Sequence, residues 1–154
     1  MSWPFPHAPP LTTARNRGAC SISWKTAFLL LIIGQLLHSL EEYRFALWEV
    51  FAPARAVSGL FSGDLPTGFA IANTAIVSFG FWCLLFPVRR SWRGARAVLW
   101  AWVVLELLNG TGHMLLGLTT QSYFPGLYTA PLLFVTASYL AFRLLQERTE
   151  ATAA

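Results

Sequence analysis

The run AFLLLIIGQLLHSLEE, residues 27–42, is apolar almost without interruption as far as Leu37, then turns to His38-Ser-Leu-Glu41-Glu42. An apolar run of this kind, flanked by Trp24 and Lys25, predicts a membrane-crossing helix. The helix ends in groups that hydrocarbon tolerates poorly. A second polar set, Glu106, Asn109 and His113, lies inside another apolar stretch, residues 97–118. An ionisable side chain at the centre of a membrane helix costs roughly 2.5–3.5 kcal/mol on insertion scales. Residues kept at that cost are candidates for chemistry.

Composition supports a membrane setting. The chain of 154 residues is 55% hydrophobic and 12% charged, against about 25% charged for a typical soluble domain. Seven Trp and twelve Phe suit membrane interfaces. The length gives one domain. Three further spans follow from the apolar runs: residues 67–86 ending at Pro87, residues 97–118, and residues 127–145 with Pro131 as a kink or first-turn residue. The first helix is expected to continue through residues 41–51 until Pro53 stops it, with a loop over 52–66. The expected organisation is a disordered tail over 1–23, a four-helix membrane domain over 24–146 and a polar tail over 147–154. A cleaved signal peptide is the rival reading of the first run, but Glu41-Glu42-Tyr43-Arg44 is not a small-residue cleavage site.

The net charge of +4 does not form a nucleic-acid surface. Arg89, Arg90, Arg93 and Arg96 fill one loop between spans, the positive-inside pattern. Arg15, Arg17 and Lys25 before the first span, and Arg143 and Arg148 after the last, fall on the same side if there are four spans. The expected fold is therefore an all-α membrane protein, a four-transmembrane-helix bundle with both termini cytoplasmic, multi-pass in a bacterial-type cytoplasmic membrane. Cys20 and Cys83 have no metal-ligand spacing and imply no disulfide framework.

Helical rise sets the depth of the polar residues. His38 lies about 20 Å from Lys25, Asn109 about 20 Å from Arg96, Asn73 about 24 Å from Arg89 and Tyr128 about 22 Å from Arg143, with His113 some 6 Å beyond Asn109. All four spans thus place polar groups at one height in the outer half of the bilayer. On the first helix Gln35, His38, Glu42 and Glu49 fall within about 40° of one another, with Glu41 on the flank. On the third, Trp102, Glu106, Asn109 and His113 share a stripe. Polar stripes of membrane helices face the bundle interior, so these two are expected to face each other.

Imidazole with carboxylate suits a divalent metal. His38, Glu42 and His113 supply three ligands and leave a position open, as in catalytic sites. Glu41 or Glu42 is then ligand or general base, and Asn109 orients a ligand or polarises a carbonyl. Gln35, Asn73, Glu106 and Tyr128 are expected to line the pocket. The leading reading is a metal-dependent membrane enzyme, hydrolase-like, acting on a lipid or other apolar small molecule. Metal-free acid–base chemistry by the same groups is one alternative. Others are a non-catalytic bundle whose polar core serves assembly or partner binding, an ion or proton relay through Glu106, and a bis-histidine haem site, which the adjacent glutamates disfavour.

The H-S-L-E-E motif at the end of the first span, followed in order by Asn109, His113 and Tyr123-Phe-Pro-Gly126, resembles the HXXEE-motif family of integral membrane proteins. The likeness covers roughly residues 28–145, and Asn73 also has a counterpart. Membership implies a membrane protein of uncharacterised, enzymatic character and supplies no substrate.

Overall fold

The structure, a computed structural model, describes residues 22–153, with side chains through 147. The tail expected at residues 1–23, with His7 and Cys20, lies outside them except for its last two residues. Among the described residues all regular structure is helical: α1 (Trp24–Arg44), α2 (Leu47–Val50), α3 (Ala52–Phe61), α4 (Leu65–Cys83), α5 (Ala95–Thr120) and α6 (Ala130–Ala153). Two stretches, Leu65–Val88 and Ala95–Thr120, are long and apolar enough to cross a membrane.

Local chemistry sets the helix ends. Ser23 opens α1 by accepting from the Thr26 amide, and Asp64 opens α4 by accepting from that of Thr67. Pro66 occupies the first turn of α4, where no amide hydrogen is needed. Helix α6 packs on both α5 and α1, and α4 lies against α1. Phe28, Leu31 and Ile32 of α1 meet Leu99, Trp102 and Val103 of α5 and Leu133, Ala137 and Leu140 of α6 in the main core. Large apolar side chains also cover the outside: Val104, Leu108, Leu115 and Leu118 on α5, and Val135 and Phe142 on α6, are exposed.

Three expectations are corrected. First, α1 stops at Arg44 instead of reaching Phe51: Ala46 takes a left-handed conformation (φ 51°) and α2 starts afresh. Second, Pro53 does not end a helix but sits in the first turn of α3, so most of the loop expected over 52–66 is helical. Arg55 fixes this corner by donating to the carbonyls of Trp48 (3.0 Å) and Glu49 (2.7 Å). Third, Pro87 does not end the second long helix, which widens into a π-turn over Leu84–Val88. The Arg89 amide reaches back to Leu84 O there, at 2.9 Å.

Helix α3 lies tightly on α4. A Cβ at Gly68 would stand 2.0 Å from the Ser58 carbonyl oxygen. Gly68→Ala is expected to push α3 away and lower the melting temperature, overpacking costing about 1–3 kcal/mol. Tryptophan fluorescence during thermal unfolding in detergent checks this; an unchanged melting temperature would deny the close approach.

Candidate metal centre

Side chains three, four and seven residues apart share one face of a helix. On α1 that face carries Gln35, His38, Ser39 and Glu42, all buried; on α5 it carries Glu106, Gly110 and His113, also buried, with Asn109 half-buried. Gly110 lets α6 approach: a Cβ there would be 2.9 Å from Ala130 O. The segment 121–129, between α5 and α6, meets both histidines through Pro125, Gly126 and Thr129.

His38, Glu42 and His113 come together as expected. Glu42 Oε1 is 3.3 Å from His38 Nε2 and 3.1 Å from His113 Nε2. One ligand atom from each of the three residues lies within 4.8 Å of the others. The imidazole rings meet edge to face, centroids 4.7 Å apart.

The partners of the other ring nitrogens decide where the protons are. His113 Nδ1 is 2.7 Å from the Pro125 carbonyl, which only accepts, so Nδ1 carries the hydrogen. His38 Nδ1 is 2.7 Å from Thr129 Oγ1. That hydroxyl has one hydrogen, and it donates to Glu41 Oε2 at 2.6 Å, so it accepts from His38. In the neutral rings both Nε2 atoms therefore carry lone pairs, aimed at a carboxylate that only accepts. His38 Nε2 is buried with no hydrogen-bond partner. With both rings neutral, three acceptors converge with no donor among them, a set that could hold a metal ion. Ligand atoms around a tetrahedral ion at about 2.0–2.1 Å stand roughly 3.3 Å apart, close to the observed oxygen–nitrogen separations.

The remaining expected residues divide. With its amide oriented to suit its neighbours, Gln35 donates to both oxygens of Glu106 (3.1 and 2.8 Å) and faces Ser39 Oγ (3.1 Å). Ser39 Oγ is 2.7 Å from Asn73 Oδ1, so this cluster joins α1, α4 and α5 beside the triad. Asn109, one turn from His113, hydrogen-bonds the Glu106 carboxyl.

Glu41 is turned away from the triad. Its Oε1 accepts from Tyr123 Oη (2.8 Å) and the Tyr128 amide (3.0 Å), and its Oε2 from the Thr129 amide (2.8 Å) and hydroxyl. It is thus neither placed as a ligand nor free as a base. Burial and the adjacent Glu41 carboxylate hold the Tyr123 hydroxyl protonated well above the usual phenol range. Tyr128 does not line the pocket: its side chain is exposed and stacks on Tyr123 with centroids 4.8 Å apart. Glu49, placed on the α1 stripe by periodicity, is exposed beyond the break at Ala46.

Thr129 completes the site without having been singled out from sequence, together with Gly126 and the Pro125 carbonyl, which the sequence offered only within the Tyr123-Phe-Pro-Gly126 element. Gly126 has φ 93°, and a Cβ on it would be 2.6 Å from His113 Nδ1 and 2.7 Å from His38 Cε1. The Pro-Gly pair in Tyr123-Phe-Pro-Gly126 was the available signal for Gly126; nothing marked the threonine.

A family model described as a protein of unknown function with HXXEE motif matches residues 29–141. Comparison with curated proteins finds no match, and neither does comparison with solved structures.

Proposed function

The chain belongs to the HXXEE-motif family, and on that premise we propose that it is a metal-dependent membrane enzyme, hydrolase-like, acting on a lipid or other apolar substrate. The observation that carries this reading is the convergence of His38 Nε2, His113 Nε2 and Glu42 as buried acceptors without a donor. His38, Glu42 and His113 are the ligands of a divalent ion. Two imidazoles and one carboxylate are a donor set that leaves a fourth position for water or substrate. Held by these three residues, a divalent ion would supply Lewis-acid chemistry, lowering the pKa of water or polarising a carbonyl. Around it the protein keeps both rings in the ligand tautomer, and Asn109 orients a polar substrate group one turn away.

The proposal sets the bundle in a membrane as four spans, α1, α4, α5 and α6, with both termini cytoplasmic. Two apolar stretches of membrane-crossing length, the exposed apolar outer faces and the arginines of residues 89–96 support this. α1 and α6 are each about 30 Å long or more, enough for the hydrocarbon core. A groove of about 330 Å³ opens between α1 and α4, lined by Leu36, Leu40, Phe69 and Val77, with Ser39 and Asn73 among its few polar groups. Mostly apolar walls with a few polar atoms suit an apolar substrate.

The cluster of Gln35, Ser39, Asn73 and Glu106 favours a second, structural role for that part of the core. Hydrogen bonds across membrane helices hold bundles together at about 0.6 kcal/mol each.

The test is turnover. The full chain is reconstituted in lipid nanodiscs made from a bacterial polar extract and supplied with zinc, and the lipids are profiled by mass spectrometry. Expected is conversion of one lipid class that stops with chelator and with His113→Ala. Lipid profiles identical for wild type, chelated and variant protein would contradict a lipid-hydrolysing enzyme.

A further inference from the structure

The motif ends in two adjacent glutamates, and the structure gives them different surroundings. Glu42 faces the imidazoles, whereas both oxygens of Glu41 are engaged by four donors of the 123–129 segment. Two of these donors are the backbone amides of Tyr128 and Thr129, which immediately precede α6. An anion at a helix N-terminus is favourably placed, so these donors fix the carboxylate there.

Through one of these contacts Glu41 reaches the triad. Its Oε2 takes the only hydrogen of the Thr129 hydroxyl, at 2.6 Å. The hydroxyl oxygen then has only lone pairs to offer His38 Nδ1, at 2.7 Å. His38 is therefore held with its hydrogen on Nδ1 and its lone pair on Nε2. Without the carboxylate, the threonine hydrogen is left with two acceptors, Nδ1 at 2.7 Å and the Gly126 carbonyl at 3.4 Å, and the nearer, Nδ1, draws it. The ring hydrogen then moves to Nε2, where Glu42 Oε1 at 3.3 Å accepts it, and the ligand lone pair is lost. The alternative is self-consistent and metal-incompetent, so something must select against it.

We propose that Glu41 is the positioning residue of this centre, setting the His38 tautomer through the Thr129 hydroxyl. His113 needs no such device, because a carbonyl cannot reverse its role. The first glutamate of the motif thus orients and the second ligates. The proposal rests on the metal reading for its purpose but makes a claim about the metal-free protein as well.

Thr129→Val and Thr129→Ser form the test pair, since valine keeps the shape of threonine without the hydroxyl and serine keeps the hydroxyl. Full-length protein with ¹⁵N-labelled histidine is measured metal-free by NMR in detergent micelles, then titrated with zinc by calorimetry. Expected in the wild type and Thr129→Ser is His38 with hydrogen on Nδ1, and in Thr129→Val a shift of the hydrogen to Nε2. Zinc affinity should fall about 10–100-fold in Thr129→Val, the range for loss of an outer-shell partner, and stay within a few-fold in Thr129→Ser. Glu41→Leu, of similar size and without any acceptor, should shift the tautomer in the same direction. If Thr129→Val keeps the Nδ1 hydrogen, the proposal is overturned, whatever happens to metal affinity. If the wild type takes up no zinc while the tautomer still shifts in Thr129→Val, the metal reading fails and the positioning role of Glu41 stands.

Discussion

Glu42→Gln is expected to remove tight metal binding while raising the thermal stability of the metal-free protein. Three acceptors face one another in the wild-type triad, with His38 Nε2 left unpartnered. A buried polar atom without a partner costs about 1–3 kcal/mol. Glutamine keeps the shape of glutamate and replaces one oxygen by an amide with two hydrogens, able to serve the Nε2 lone pairs. The metal-free triad then becomes a satisfied neutral cluster, and at least one such cost is relieved. The same change removes the anionic ligand, so zinc affinity should fall beyond the 10–100-fold typical of outer-shell changes. If Glu42 instead serves as the anion of an ion pair with a protonated imidazole in a purely structural core, the sign reverses. Breaking a buried ion pair by removing one partner is destabilising by about 3–5 kcal/mol. Thermal unfolding of both proteins in chelator, followed by tryptophan fluorescence, separates the cases: a lower melting temperature for Glu42→Gln contradicts the metal centre.

The second large effect is at Gly126. Its φ of 93° lies where L side chains rarely go, and a Cβ there meets His113 Nδ1 at 2.6 Å, His38 Cε1 at 2.7 Å and His113 Cε1 at 2.8 Å. Alanine at this position adds left-handed backbone strain of about 1–2 kcal/mol to overpacking of about 1–3 kcal/mol. Neither ring can retreat freely, since one is tied to Thr129 and the other to Pro125. Gly126→Ala is therefore expected to lose roughly 2–5 kcal/mol of stability and to weaken metal binding by displacing both imidazoles together. Alanine at Gly112, inside α5 where a Cβ meets nothing within 4 Å, is the control and should leave metal binding unchanged while raising stability by about 0.5–1 kcal/mol. Equal behaviour of the two variants would show that Gly126 is not packed on the histidines.

Much of the fold was legible because long apolar runs leave a simple pattern. The apolar run over 97–118 became α5 (Ala95–Thr120) with little change at either end, and the first run gave the start and core of α1. The stretch 41–66 was misjudged for a local reason. An alanine in the left-handed region carries no sequence mark, so the break at Ala46 was invisible and the amphipathic pattern beyond it read as the same helix. Pro53 then looked like a stop when it was a start. That error also put Glu49 on the polar stripe.

The triad itself followed from periodicity, because His38, Glu42 and His113 lie on helices where face and depth can be calculated. Adjacent residues on a helix differ by about 100°, so Glu41 and Glu42 flank the same stripe and spacing does not tell them apart. What separates them is the 123–129 segment, distant in sequence and irregular in backbone, which claims Glu41 with four donors. Tyr128 was placed at the right height, but it sits in a turn, where helical geometry does not say which way a ring points. Its backbone amide takes part in the site; its ring does not.

Metal analysis of protein purified from membranes, by inductively coupled plasma mass spectrometry, bears most directly on whether these acceptors hold a cation. Wild-type protein, as isolated or after incubation with zinc and desalting, should carry about one divalent ion per chain through its His₂Glu set. His38→Ala and His113→Ala, each folded by circular dichroism, should carry none. Wild-type protein that stays metal-free after incubation, or His113→Ala that retains a full equivalent, would contradict the metal centre.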